Sequence, residues 1–166
     1  SGGTIEKNRC YPKSVQEVTE GLSCKEISNS ELLELDVDVL IPAAVEGVLT
    51  KENAKNVKAQ VILEMANGPT TREADEVFNQ AKKVVVPDII ANAGGVATSY
   101  LEWVENTQGL AWERDRVLEE LDKLMVKALR GAHEKASVYN VSLREGAYLV
   151  AIERIFKAMS LRGWVE

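Results

Sequence analysis

A chain of 166 residues, 45% hydrophobic and 28% charged, has the composition of one globular domain with a sizeable core, which excludes a disordered polymer. The net charge of -6, without a dense Lys/Arg tract, excludes recognition of a phosphate backbone, so no nucleic-acid partner is expected. No run approaches the ~18 apolar residues of a membrane span, the opening residues lack a signal pattern, and Cys10 and Cys24 have no metal-ligand company. The expectation is a cytoplasmic protein with reduced thiols, no metal and no membrane contact.

In chain order, Tyr11-Pro12-Lys13-Ser14 stands ahead of apolar Val15 and Val18, a spacing that predicts a short helix. Ser28 with Glu31 three residues on forms a capping-box pattern before a helical turn, followed by a strand over Val37–Pro42. Thr50 to Asn53 repeats the pattern more weakly, opening a helix to about Val57, and a strand over Ala59–Met65 follows. Thr70 and Thr71, with Glu73 and Asp75 in the first turn, open another helix that delivers the chain to Val84. Three β units separated by helices predict a parallel sheet with helices on its faces. The fold class is therefore α/β, a partial Rossmann-like parallel sheet with flanking helices and a C-terminal helical segment.

That segment starts at Arg114. Val117, Leu118, Leu121, Leu124, Met125, Ala128, Leu129 and Ala132 form one apolar stripe at helical spacing. Asn140 turns the chain, Ser142 and Glu145 box the last helix, and Arg162-Gly163 end it.

The stretch Val84 to Gln108 carries the functional signal. Val84–Ile90 reads as a buried strand reaching its end at a proline, Asn92-Ala93-Gly94-Gly95 as a loop where backbone approaches a ligand, and Val96–Trp103 as helix. Ligands of open α/β sheets collect at the carboxyl ends of strands. Asn92 is a donor and acceptor placed there, although helix capping is the alternative. Ala43 and Ala44 at an earlier strand end leave room for a flat ring or a ribose, or simply pack. Asn67-Gly68 ahead of Pro69 is turn chemistry on its face. Trp103 reads as packing, Glu102 and Glu105 as a solvated face, and the lone His133 as non-catalytic.

Asn92-Ala93-Gly94-Gly95-Val96 with Ser99, together with Asp36–Ala44 and Glu64-Met65-Ala66-Asn67-Gly68-Pro69-Thr70-Thr71, resembles the glutamate dehydrogenases within the wider amino-acid dehydrogenase family, over about Lys25 to Gly163. Ile41-Pro42-Ala43-Ala44 and Asn67–Thr71 favour the glutamate members. The resemblance implies oxidative deamination of L-glutamate to 2-oxoglutarate and ammonia with NAD or NADP. It implies a cofactor-binding set of Ala43, Ala44, Asn67 (at the nicotinamide ribose) and Asn92 (at the nicotinamide). It also implies a substrate-binding pair, Ser99 on the side-chain carboxylate and Val96 bordering the pocket. The family's catalytic lysine and acidic partner belong to a substrate domain with no counterpart in this sequence, so no catalytic residue is assigned. Residues 1–112 are then expected to be the C-terminal part of the dinucleotide-binding domain, and 113–166 the helices returning toward the substrate domain.

The start at Ser1 reads as a cut through a longer fold, and no Gly-x-Gly-x-x-Gly turn is present, so the chain alone is expected to be inert and to bind neither NAD nor NADP tightly. A leucine, phenylalanine or valine dehydrogenase fragment and a non-catalytic interaction domain are the alternatives. A half sheet presents an unpaired, β-branched strand edge, which favours association. Sedimentation velocity at about 50 µM should accordingly show dimers or larger species, and the parent enzyme is expected to be a homo-oligomer; a clean monomer at that concentration contradicts the edge argument.

Overall fold

The structure is a computed structural model that describes residues 3–6, 9–12 and 27–165. The chain divides into two compact units, Ser1–Leu32 and Leu33–Glu166. The first contains an antiparallel hairpin of β1 (Gly3–Glu6) and β2 (Arg9–Pro12), with Gly3 opposite Pro12 and Glu6 opposite Arg9. This hairpin lacks strong turn chemistry at residues 7–8 and was not expected. Ser1, Gly2, Cys24 and the helix predicted around Val15 and Val18 lie outside the described residues.

A helical turn, α1 (Asn29–Leu33), begins at the expected box, where Glu31 accepts from the Ser28 N–H at 2.7 Å and its own N–H donates to Ser28 Oγ at 3.2 Å. The second unit is built on three parallel strands, β3 (Val39–Leu40), β4 (Val61–Leu63) and β5 (Val84–Val86), in the order β3-β4-β5. All three are shorter than the apolar runs suggested, and β3 keeps only two residues. Beyond each strand the backbone turns to pair with loops: Pro42 O accepts from the N–H groups of Met65 and Ala66 at 3.0 and 2.9 Å. Helices α2 (Lys51–Ala54) and α3 (Arg72–Gln80) bury Ala54, Ala74 and Phe78 against Ile62, Val85 and Leu49, and Phe78, Ile62 and Leu49 are fully buried. Burying such side chains stabilises the fold by roughly 1.5–3 kcal/mol each.

Pro87 corrects the reading of Val84–Ile90 as strand. Lacking an N–H it ends the β5 ladder, and its φ of -72° suits a helix start, so its carbonyl accepts from Ile90 and Ala91 at 2.9 and 2.8 Å and a short helix, α4 (Asp88–Ala91), forms. The two glycines likewise belong to helix rather than to an extended loop: α5 runs from Gly94 to Gln108. Helix α6 (Arg114–Tyr139) ends at Asn140 in the left-handed region, φ +53°, and α7 (Leu143–Leu161) follows.

Helices α6 and α7 form an antiparallel-connected pair whose contact is made by small residues. Ala132, Ala136, Gly146 and Ala147 are buried, and a Cβ on Gly146 would stand 2.3 Å from Ala132 O and 2.9 Å from Ala136 N. Nothing in that contact is a flexible side-chain end. Ile90 of α4 packs into the same cluster, with Leu143 beside it. Gly146→Ala should therefore destabilise the chain by about 1–3 kcal/mol, although alanine is the better helix former. Urea unfolding checks this, and an unchanged midpoint contradicts the close approach.

Candidate functional site

The carboxyl ends of the three strands lie side by side, and each delivers one segment singled out above. Beyond β3 come Ala43 and Ala44, both exposed; beyond β4 comes exposed Asn67; beyond β5 comes Asn92, half-buried at the end of α4. The Met65 and Ala66 bonds to Pro42 O fasten the first segment to the second. Asn92 fastens the second to the third, its Nδ2 donating to Asn67 Oδ1 at 2.7 Å and to Met65 O at 3.3 Å.

That pair of bonds determines which amide atoms face outward. A backbone carbonyl only accepts, so the Asn92 atom facing Met65 O is nitrogen, and the Asn67 atom facing the same Nδ2 is oxygen. Both N–H groups of Asn92 are engaged, which leaves its Oδ1 as acceptor and Asn67 Nδ2 as donor. Asn92 alone therefore does not offer both functions, as the sequence suggested. The two asparagines offer them jointly.

The Asn67 loop is held by Gly68, whose φ of +55° favours glycine. Gly68 N donates to Asp88 Oδ2 at 2.8 Å, and Gly68 O accepts from Gly47 N at 2.9 Å. Asp88 N in turn donates to Glu64 Oε2 at 2.9 Å. Glu64 has 0% exposure, and its other partner is Arg144, the second residue of α7, whose Nη2 and Nη1 donate to Oε1 and Oε2 at 2.6 and 3.1 Å. Arg144 also donates to both oxygens of Asp75 on α3, at 3.0 and 3.3 Å, and lies 3.6 Å from Asp88 Oδ1. Burial works against the guanidinium charge, but the hydrogen bonds it donates to Glu64 and Asp75 outweigh it and raise its pKa above the ordinary value.

Glu64, Asp88 and Arg144 were not singled out in the sequence. One signal was available: a cation in the first turn of a helix opposes the helix dipole, so Arg144 needs an anionic partner.

Val96 and Ser99 lie on α5, Val96 72% exposed and Ser99 exposed, with no bond from the Ser99 hydroxyl to any described residue. Thr98, not Ser99, bonds back to the preceding turn, through Gly94 O at 2.8 Å. A Cβ on Gly95 would meet nothing within 4 Å, so the start of α5 is open on that side. Trp103 is 62% exposed and lies against Tyr100, so it packs into no core within this chain. Glu105 is half-buried and accepts from Trp112 N, closing the α5–α6 turn rather than facing solvent. His133 is exposed beside a groove of about 360 Å³ that Asn79, Lys83 and Asn140 also line.

The strand ends thus present one acceptor, Asn92 Oδ1, and one donor, Asn67 Nδ2, with the exposed small residues Ala43, Ala44 and Gly95 on the segments that follow the strands. Among the described residues no group of three His, Cys, Asp or Glu is placed to hold a metal ion. Among the described residues no helix is long and apolar enough to cross a membrane.

The family profile described as Glutamate/Leucine/Phenylalanine/Valine dehydrogenase matches residues 4–163. The chain is 44% identical over 162 residues to the glutamate dehydrogenase of Thermotoga maritima, covering 98% of this chain and 39% of that protein. It is 48% identical over 140 residues to the NAD-specific glutamate dehydrogenase of Clostridioides difficile, covering 84% of this chain and 33% of the relative. Among solved structures, the glutamate dehydrogenase of Peptoniphilus asaccharolyticus superposes with a TM-score of 0.75 at 40% identity, over 92% of this chain and 35% of that one. The hetero-hexameric enzyme of Thermus thermophilus gives 0.83 at 29% identity, over 99% and 40%. The chain thus spans between a third and two fifths of the relatives' length.

Arg144 is presented by the α7 capping box, in which Ser142 N donates to Glu145 Oε2 at 2.8 Å and Glu145 N donates to Ser142 Oγ at 3.2 Å. The Ser142 N–H first, and its hydroxyl second, hold the Glu145 carboxyl below its ordinary value of 4.5. A depressed folded pKa stabilises the fold above the unfolded value, and that stability is lost as pH falls through the folded one. Glu145→Gln should cost about 0.3–1 kcal/mol at neutral pH, the range for an exposed carboxylate at a helix start, and the difference should close as pH falls below the ordinary carboxylate range. Thermal unfolding of both proteins across pH measures it.

Proposed function

Because this chain belongs to the Glutamate/Leucine/Phenylalanine/Valine dehydrogenase family, we propose that it forms the nicotinamide-side part of a glutamate dehydrogenase acting with NAD or NADP. In this reading residues 1–112 are the C-terminal part of the dinucleotide-binding domain and 113–166 return toward a substrate domain. The whole enzyme deaminates L-glutamate oxidatively to 2-oxoglutarate and ammonia, as a cytoplasmic homo-oligomer. The observation that carries the reading is the joined pair Asn67 and Asn92 beyond adjacent parallel strands, which leaves one amide donor and one amide acceptor for a ligand.

The bound cofactor supplies the hydride-accepting ring. This chain's residues would hold it: Asn92 Oδ1 would accept from the carboxamide N–H, Asn67 would serve the ribose, and Ala43 and Ala44 would admit the flat group. Ser99, whose hydroxyl has no bond to any described residue, donates to the substrate's side-chain carboxylate, and Val96 borders that pocket.

The glutamate reading and the leucine, phenylalanine or valine alternative separate at Ser99. In a full-length dehydrogenase carrying this chain, Ser99→Ala should lower kcat/KM for glutamate by about ten- to a hundredfold, the effect of losing one hydrogen bond to a charged group. Efficiency with apolar amino acids should be spared, so the ratio of the two is the quantity to follow. An unchanged ratio in a folded variant removes Ser99 from the substrate site and the glutamate assignment with it.

A further inference from the structure

Asn67 is an exposed loop residue and Asn92 a half-buried one at the end of a four-residue helix, yet a glutamate dehydrogenase needs them held to a fraction of an ångström. Neither sits on a long element. The geometry points to Arg144, on the last helix of the chain, as the positioning residue for this pair, acting through Glu64 and Asp88 on the Asn67-Gly68 turn. This inference rests on the function proposed above for Asn67 and Asn92.

Each link in that path is a short, directional bond. The guanidinium holds both oxygens of Glu64, at 2.6 and 3.1 Å. Glu64 immediately follows β4 and is fully buried, so its carboxylate has no water to turn toward. Its Oε2 also takes the Asp88 N–H at 2.9 Å, which fixes the first residue of α4, the helix whose far end carries Asn92. The Asp88 side chain takes the Gly68 N–H at 2.8 Å, which fixes the turn that carries Asn67. Asn67 and Asn92 then close the circuit at 2.7 Å. Two routes from one cation thus end on the two residues that must act together.

Charge makes Arg144 the member that cannot be replaced by geometry alone. Glu64, Asp75 and Asp88 come from β4, α3 and α4, and the guanidinium contacts all three within 3.6 Å. Without it, three carboxylates face one another, one in a site with no solvent, and the least costly relief is for Asp88, at the start of the short helix α4, to move away. That movement releases Gly68. Lysine keeps the charge but not the planar fork that spans two carboxylates, so it should restore only part of the arrangement.

The test uses isotope-labelled chain and nuclear magnetic resonance without nucleotide. In Arg144→Met the amides of Ile62 and Phe78 should remain protected, showing a folded core, while exchange of the Gly68 amide accelerates about tenfold or more and the Asn92 side-chain amide shifts toward its free position. Arg144→Lys should lie between. Gly68 and Asn92 signals unchanged in folded Arg144→Met overturn the inference. Should that variant fail to fold, Asp88→Ala decides: it leaves the Arg144–Glu64 pair in place, and must release Gly68 and shift Asn92, an unchanged pair again overturning the inference. Nicotinamide mononucleotide added to the parent chain separates the two claims. If it perturbs neither Asn67 nor Asn92, the functional reading of these asparagines fails, whereas the positioning role is judged only on the nucleotide-free signals.

Discussion

One guanidinium among three carboxylates holds the second unit together where its elements meet. The sheet contributes Glu64, α3 contributes Asp75, α4 contributes Asp88, and α7 brings Arg144 to them. A buried ion pair of this kind is weak support for stability as such, because desolvation offsets much of the attraction. Its value is specificity: a buried carboxylate tolerates few positions of its partner, so the strand ends, the short helix and the last helix have one arrangement relative to each other.

That constraint depends on how α7 is seated. Gly146 lies two residues beyond Arg144 and lets α7 approach the backbone of α6 at Ala132 and Ala136 as closely as a Cβ-less contact allows. The capping box at Ser142 defines where the helix starts, hence where its second residue points. Packing sets the distance and capping sets the rotation. Together they bring a long, flexible side chain to within hydrogen-bond reach of Glu64, just beyond β4.

Much of this fold was legible because it is local. The Ser28 and Ser142 boxes and the turn at Asn140 follow from residues two to four apart, and the parallel pairing of β3 to β5 from the alternation of strands and helices, whereas Leu118, Leu124 and Leu129 of the α6 stripe stay exposed. Family resemblance then located Asn67 and Asn92, and the strand ends do bring them together. What local pattern missed were interactions between residues far apart in sequence: Arg144 is 80 residues from Glu64 and 69 from Asp75. Periodicity carries no information over such separations. The β-branched run before Asn92 misled for a different reason, since Pro87 removes the N–H that would continue a ladder and its φ begins a helix instead. Glu105 looked like a solvent-facing residue because its partner is a backbone N–H, which no side-chain pattern reveals.

The Asn67-Gly68 dipeptide has a chemical lifetime as well as a geometry. An asparagine before glycine ages when the glycine nitrogen attacks the side-chain carbonyl carbon, expelling ammonia and leaving an imide that opens to aspartate or isoaspartate. Here the Gly68 N–H is bonded to Asp88 and the Asn67 carboxamide is held by Asn92, which restrains the side-chain rotation that the attack requires. The rate of decay is thereby tied to how tightly these contacts hold the loop. Each opening of the turn exposes it, and the product would put a carboxylate where the neutral donor Nδ2 had been, so the age of the molecule becomes a property of the same few hydrogen bonds.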